Sequence, residues 1–97
     1  MSERKAIHVI IAGRVQGVGF RAWAKSTATK KGLNGWVRNR TDGTVEAVFS
    51  GKAAHIDAML TACKDGPLAS RVQEVVAKDW AEPVASGFEM KETLSSQ

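Results

Sequence analysis

The sequence predicts an α+β domain in which two helices pack on one face of a mainly antiparallel sheet. Apolar residues recur at every second position in some segments, which is typical of strands, and at helical spacing in others. These segments follow one another in the order strand, helix, strand, strand, helix, strand, strand. A strong hairpin turn separates the two strands in the middle of this order. The length of 97 residues, 43% of them hydrophobic, suits one domain, residues 1–97, with a modest core.

The first strand and the first helix are predicted by their periodicity. Residues 6–13 form a strand because apolar side chains occupy positions 7, 9 and 11. His8 has the opposite parity, so we expect it to face solvent on the sheet. Apolar residues then recur at helical spacing from Phe20, and two lysines followed by Gly32 predict where this helix ends.

Two strands and a turn follow the first helix. Residues 35–40 and 44–50 are predicted strands, and Asp42 and Gly43 between them favour a hairpin turn because both tolerate positive φ. The interpretation of Asp42 is therefore turn formation and not acid catalysis.

The second half of the chain completes the pattern. A second amphipathic helix ends at Gly66-Pro67, and its apolar stripe consists of Ile56, Met59, Leu60 and Cys63. Residues 71–79 and 87–93 are predicted strands, and residues 94–97 a frayed tail. This order, βαββαβ with a final strand, is the split βαβ arrangement of ferredoxin-like sandwiches.

The composition indicates the cellular compartment of the protein and the kind of partner it binds. The single cysteine, Cys63, excludes an internal disulfide and cannot alone hold a metal ion. The apolar run at residues 6–12 is too short for a secretory signal or a membrane span, so we expect a cytoplasmic protein without a membrane partner. The first 41 residues contain nine basic residues and one acid, Glu3, which gives this region a charge of +8. Such a region attracts anions.

Three glycines and two arginines lie between the first strand and the first helix, at residues 13–21. Glycines let backbone N–H groups curl around an anion, and a helix N-terminus adds positive potential. The segment therefore predicts a phosphate site, with the candidate binding residues Arg14, Val15, Gln16, Gly17, Val18, Gly19, Phe20 and Arg21. A cation in the first helical turn opposes the helix dipole, so the placement of Arg21 favours a functional role.

Two nucleotide-binding alternatives fit this loop poorly. A P-loop requires a Gly-Lys-Ser/Thr ending, which is missing here. A dinucleotide fingerprint is nominally present at Gly17, Gly19 and Ala22, but Asn39 stands where an acid is expected about 20 residues on.

The segment GRVQGVGFR at residues 13–21 resembles the signature of the acylphosphatase family. A second family signature is similar to GWVRN at residues 35–39, followed by DGTVE at 42–46. The resemblance extends from about residue 7 to residue 93, and two long motifs at the expected separation make it specific.

The resemblance implies hydrolysis of acyl phosphates without metal or cofactor. Arg21 would bind the phosphate, Asn39 would position the attacking water, and backbone N–H groups of residues 14–20 would hold phosphate oxygens. The substrate's own phosphate would take the proton of that water. The expected partners are a small acyl phosphate and inorganic phosphate, as product or inhibitor, and we expect a monomer that binds no nucleic acid.

Three alternatives remain. The first is an RNA-binding module, which we rank low because the open sheet face of the first strand offers only His8 and Ile10 and an aromatic platform is missing. The second is a carbamoyl-phosphate-handling domain of a larger hydrogenase-maturation protein, against which the chain's own Met1 argues. The third is a non-catalytic domain that keeps the loop as an anion sensor, against which the intact Arg21 and Asn39 argue.

Overall fold

The computed structural model describes residues 3–93, which form five strands and two helices. In chain order they are β1 (Arg4–Arg14), α1 (Phe20–Lys30), β2 (Asn34–Asn39), β3 (Val45–Lys52), α2 (Ala53–Asp65), β4 (Arg71–Asp79) and β5 (Phe88–Met90). The tail predicted at residues 94–97 lies outside the described residues. Neither helix is long and apolar enough to cross a membrane within the part of the chain described.

The five strands form one sheet in the order β4-β1-β3-β2-β5. β1 pairs antiparallel with β3 and β4, β2 pairs antiparallel with β3, and only β5 runs parallel to its neighbour β2. The predicted α+β, ferredoxin-like fold is therefore confirmed.

The predicted bounds lie within two residues of the observed ones for β2, β3 and β4, and β1 and β5 differ most in length. β1 is longer than predicted because its pairing with β3 begins already at Arg4 and its pairing with β4 continues to Arg14. β5 is shorter than predicted because only residues 88–90 pair with β2 at the edge of the sheet.

The core lies between the sheet and the helices, as the alternation predicts. On the sheet, Ile7 lies opposite Phe49 and Val9 opposite Ala47, and all four are buried. The two helices contribute the buried residues Phe20, Ala24, Ala28, Ile56, Met59 and Cys63. The stacked rings of Phe49 and Phe88, 5.6 Å apart, extend this core under β5.

The face of the sheet opposite the helices differs from the open face without an aromatic platform that the sequence predicts. His8 is only 8% exposed, because its ring stacks on Trp80 at 5.5 Å and its Nε2 lies 2.6 Å from Glu46 Oε2. The prediction of a solvent-facing His8 was wrong. Trp36 meets Trp80 edge to face at 6.3 Å, so this face does carry aromatic side chains, also contrary to expectation.

Candidate active site

The strand β1 has a shift in register close to the loop that connects it to α1. The register between β1 and β4 shifts between Ala12 and Gly13. Gly13 has φ of 125°, and a Cβ there would overlap the backbone oxygen of Arg71 and lie 2.8 Å from the nitrogen of Gln73. This glycine is therefore required by the close approach of β4, and β1 ends one residue later, at Arg14, where the loop begins.

The loop ends at the N-terminus of α1, where backbone donors are free. Gly19 caps the helix in the left-handed conformation, with φ of 81°, and no side chain accepts from the first turn. The first helical bond runs from Trp23 N–H to Gly19 C=O at 3.0 Å. The earlier N–H groups of the helix lack intrahelical acceptors, and the first turn contains no acid, so this end favours an anion.

A pocket of about 130 Å³ lies against this helix end. Its lining residues are Val15, Gly17, Gly19, Phe20, Arg21, Ala22, Asn39 and Met90. The fold thus brings Arg21 of α1 and Asn39 of β2 to one cavity, because the end of β2 lies beside the start of α1. Five of the eight predicted phosphate-binding residues line it. Arg14, Gln16 and Val18 do not.

The two charged or polar side chains that the sequence singled out are both unengaged. The Arg21 guanidinium makes no hydrogen bond or ion pair with any residue in the range 3–93. The side-chain Oδ1 of Asn39 is buried and has no hydrogen-bond partner among those same residues. A buried polar atom without a partner carries a desolvation cost of about 1–3 kcal/mol, which a bound water or ligand relieves.

Gln16 has a role that its place in the motif did not reveal. Its side-chain Nε2 donates to the carbonyl oxygens of Arg40 and Thr44, at 2.7 and 2.8 Å. Thr44 in turn donates its N–H and its hydroxyl to Asp42 Oδ1, which confirms Asp42 as a turn residue. The loop after β1 is therefore tied directly to the β2–β3 turn that follows Asn39.

A second network on the open face of the sheet supports β2 next to the site. Glu46 lies between two partners, with Oε1 2.7 Å from Arg38 Nε and Oε2 2.6 Å from His8 Nε2. Burial alone would raise the pKa of the Glu46 carboxyl, but the hydrogen bonds from His8 and Arg38 hold that pKa below its ordinary value. The ring of Trp36 lies under the Arg38 guanidinium, 4.5 Å from its carbon. These contacts hold Arg38, the residue before Asn39.

Residues 3–93 offer neither a cluster of metal ligands nor a reactive thiol. Within the described range 3–93, no group of three or more His, Cys, Asp or Glu side chains could hold a metal ion. Cys63 is buried in the core, and burial raises the pKa of its thiol to about 12.

The fold and the pocket define a small α+β protein with a small pocket at the N-terminus of its first helix. The family model described as Acylphosphatase matches residues 7–90. The chain belongs to the acylphosphatase family, and the resemblance of its two motifs to that family is confirmed.

Relatives and solved structures agree with this membership. The chain is 49% identical over 90 residues to a Rhodospirillum rubrum protein named Acylphosphatase, covering 93% of this chain and 99% of that protein. The structure of an acylphosphatase from Coxiella burnetii is similar with a TM-score of 0.87 at 32% identity, covering 91% and 93% of the two chains. A crystal structure of full-length HypF, in the phosphate- and nucleotide-bound form, matches with a TM-score of 0.89 at 26% identity. That match covers 98% of this chain and 13% of the HypF chain, so the fold also occurs as a small part of a longer protein.

Proposed function

We propose that the chain hydrolyses the carboxyl–phosphate anhydride of acyl phosphates to a carboxylate and inorganic phosphate. The observation that carries this proposal is that an unengaged guanidinium, that of Arg21, and an unpartnered amide oxygen, that of Asn39, line one small pocket at a helix N-terminus.

The phosphate group binds between the Arg21 side chain and the backbone N–H groups of the loop and first helical turn. A guanidinium presents a planar fork that matches two phosphate oxygens, and the helix end adds N–H donors and positive potential. The volume of about 130 Å³ suits such a head group, since pockets for whole drug-sized molecules reach roughly 300–1,000 Å³.

Asn39 positions the attacking water. Its amide accepts from the water through Oδ1, the buried atom that lacks a partner among residues 3–93. The water oxygen attacks phosphorus, the bond from phosphorus to the acyl oxygen breaks, and the carboxylate leaves with the electron pair. One proton of the water passes to a phosphate oxygen of the substrate, so a neutral amide is sufficient beside it.

The reaction places few demands on the protein. Phosphoryl transfer depends mainly on positioning and charge stabilisation. A carboxylate is a weak base and leaves without a strong general acid. Metal independence, cytoplasmic location, a monomeric state and the absence of a nucleic-acid partner stay predictions of the sequence.

The test is hydrolysis of benzoyl phosphate in the presence of a chelator by wild type, Arg21→Gln and Asn39→Ala. Arg21→Gln is expected to lose a hundredfold or more in rate, on the order of 3 kcal/mol of transition-state stabilisation. Asn39→Ala is expected to lower kcat with KM largely kept, because its role is to orient water. Arg71→Gln is the matched control, since Arg71 is exposed on β4 and does not line the pocket.

The outcomes separate the alternatives. A folded Arg21→Gln variant with a near wild-type rate contradicts the proposal, and so does turnover that stops with the chelator. No turnover by wild type, together with retained phosphate binding, supports the anion-sensor alternative instead. Inorganic phosphate should inhibit wild type competitively.

A further inference from the structure

A second, larger cavity adjoins the phosphate pocket. This cavity has a volume of about 430 Å³ and is lined by Ala22, Lys25, Ser26, Thr29, Lys30 and Met90. Ala22 and Met90 line both cavities, so the two are neighbours that share a wall at these residues. We call the larger cavity the α1–β5 groove, because every lining residue belongs to α1 or β5.

We propose that the α1–β5 groove binds the acyl group of the substrate and selects acyl chains that end in a carboxylate. This inference rests on the proposed function, because it extends the substrate outward from the phosphate pocket.

Its volume and the wall that it shares with the phosphate pocket make this groove the place for the acyl group. The phosphate pocket, at about 130 Å³, leaves little room for a carbon chain beside the phosphate. Another cavity of about 440 Å³ lies beside Trp36 and the loop before β5, but it shares no lining residue with the phosphate pocket. The α1–β5 groove has both the volume and the shared wall.

The groove offers apolar contact at the wall it shares with the phosphate pocket. Met90 is 42% exposed, which is unusual for a large apolar side chain, and it lines both the phosphate pocket and the groove. A thioether side chain is flexible and polarizable and adapts to chains of different shape. Two main-chain hydrogen bonds, one just before and one just after β5 in the chain, hold Met90 in place against β2. They run from Gly35 N–H to Gly87 C=O at 3.0 Å and from Lys91 N–H to Val37 C=O at 2.9 Å.

The charge of the groove favours an anion at its far end. Lys25 and Lys30 line it, and α1 contains no acidic residue. Neither lysine side chain forms an ion pair or hydrogen bond with another residue of the described range 3–93. With a rise of 1.5 Å per residue, Lys25 lies about 4.5 Å and Lys30 about 12 Å along the helix from Ala22. A chain of several carbons therefore brings a terminal carboxylate to these lysines.

The test compares three substrates that share the phosphate and differ in the acyl chain. They are acetyl phosphate, hexanoyl phosphate and the monophosphate of adipic acid, a six-carbon chain that ends in a carboxylate. Wild type should prefer the adipic over the hexanoic compound in kcat/KM by about fivefold at low salt, and less at high salt. Acetyl phosphate does not reach the lysines and serves as the internal standard.

Two variants address the two parts of the proposal. Ser26→Phe fills the groove from an exposed helix position, and should lower kcat/KM for both six-carbon substrates by about tenfold while acetyl phosphate stays within about twofold. The double variant Lys25→Gln, Lys30→Gln should abolish the preference for the adipic compound and leave the hexanoic one unchanged. The double variant Lys52→Gln, Lys64→Gln changes net charge equally at exposed sites outside the groove, and should keep the preference.

The results distinguish failure of the groove from failure of the proposed function. Wild type that hydrolyses all three substrates alike, or a Ser26→Phe variant with unchanged rates, overturns the groove and leaves the hydrolysis standing. An equal loss of preference in the Lys52, Lys64 control overturns the selection by Lys25 and Lys30. Failure of wild type to hydrolyse acetyl phosphate overturns the proposed function and the groove together.

Discussion

The side-chain amide of Gln16 donates to the carbonyl oxygen of Thr44 at 2.8 Å and to that of Arg40 at 2.7 Å. It therefore connects the loop between β1 and α1 to Arg40, the residue that follows Asn39. The two halves of the candidate site are 18 positions apart in sequence between Arg21 and Asn39. Gln16 is a positioning residue that fixes one half relative to the other.

Gln16→Met keeps the length of the side chain but removes both donors. We expect kcat for benzoyl phosphate to fall about tenfold with a smaller change in KM, because misalignment of the water affects the reaction more than phosphate binding. The loss of these two hydrogen bonds should also lower the free energy of unfolding by about 1–3 kcal/mol, measured by urea denaturation, although each carbonyl keeps a main-chain donor.

The control for Gln16→Met is Gln73→Met, which changes an exposed side chain of β4 in the same way. A folded Gln16→Met variant whose kcat equals that of wild type contradicts the positioning role. A loss of stability without a loss of kcat leaves Gln16 a purely structural residue.

Glu46→Gln should lower stability at neutral pH and much less in acid. The pKa of Glu46 is lowered in the folded protein, although burial opposes this, because His8 and Arg38 hydrogen-bond to the carboxylate. A lowered folded pKa gives stability that is complete above the ordinary value of 4.5 and is lost as the pH falls through the folded pKa. The difference in unfolding free energy between wild type and Glu46→Gln should therefore be constant at higher pH and narrow below 4.5.

Urea denaturation at a series of pH values measures this difference. Glu74→Gln is the control, because it removes an acidic side chain at an exposed position of β4. If the difference in unfolding free energy between wild type and Glu46→Gln grows toward acid pH, the stabilising role of this network is contradicted.

Gly13→Ala should destabilise the protein far more than Gly43→Ala. Both glycines have positive φ, 125° and 94°, so each substitution introduces backbone strain of about 1–2 kcal/mol. Only at Gly13 does the new Cβ also overlap a backbone atom, the oxygen of Arg71, whereas nothing lies within 4 Å at Gly43. We expect a total cost of about 3 kcal/mol or more at Gly13, measured by urea denaturation. Similar losses in both variants contradict the close approach of β4.

The thiol of Cys63 should be unreactive in the native protein. Its side chain is fully buried, and burial raises its pKa to about 12, whereas reaction requires the thiolate. A chromogenic disulfide reagent at pH 8 should label the native protein slowly and the denatured protein at once. Equal rates in the two states contradict the packing of α2 against the sheet.

Local features of the sequence predicted most of the fold and the central part of the site. Periodicity placed β4 at residues 71–79 and the start of α1 at Phe20, because which face of an element is buried depends on the spacing of nearby residues. The two motifs also singled out Arg21 and Asn39, which the fold brings to one pocket.

Contacts between distant segments could not be predicted in the same way. The parity of His8 identified its face of the sheet, but that face is covered by Trp80, 72 positions later in the chain. The signature identified Gln16 as part of the loop, but not that its side chain turns to Thr44. Met90 has no motif around it, and its place in both cavities follows from the pairing of β5 with β2.

The sequence by itself determined the order of the elements and the position of the glycine-rich loop, because periodicity, turn formation and loop chemistry act over a few residues. Only the tertiary structure decided that Asn39 and Arg21 line one pocket, that Gln16 hydrogen-bonds to Arg40 and Thr44, and that a groove adjoins this pocket at Ala22 and Met90. These relationships depend on strand register and on the packing of α1 against β2 and β5, which join residues that are far apart in the chain.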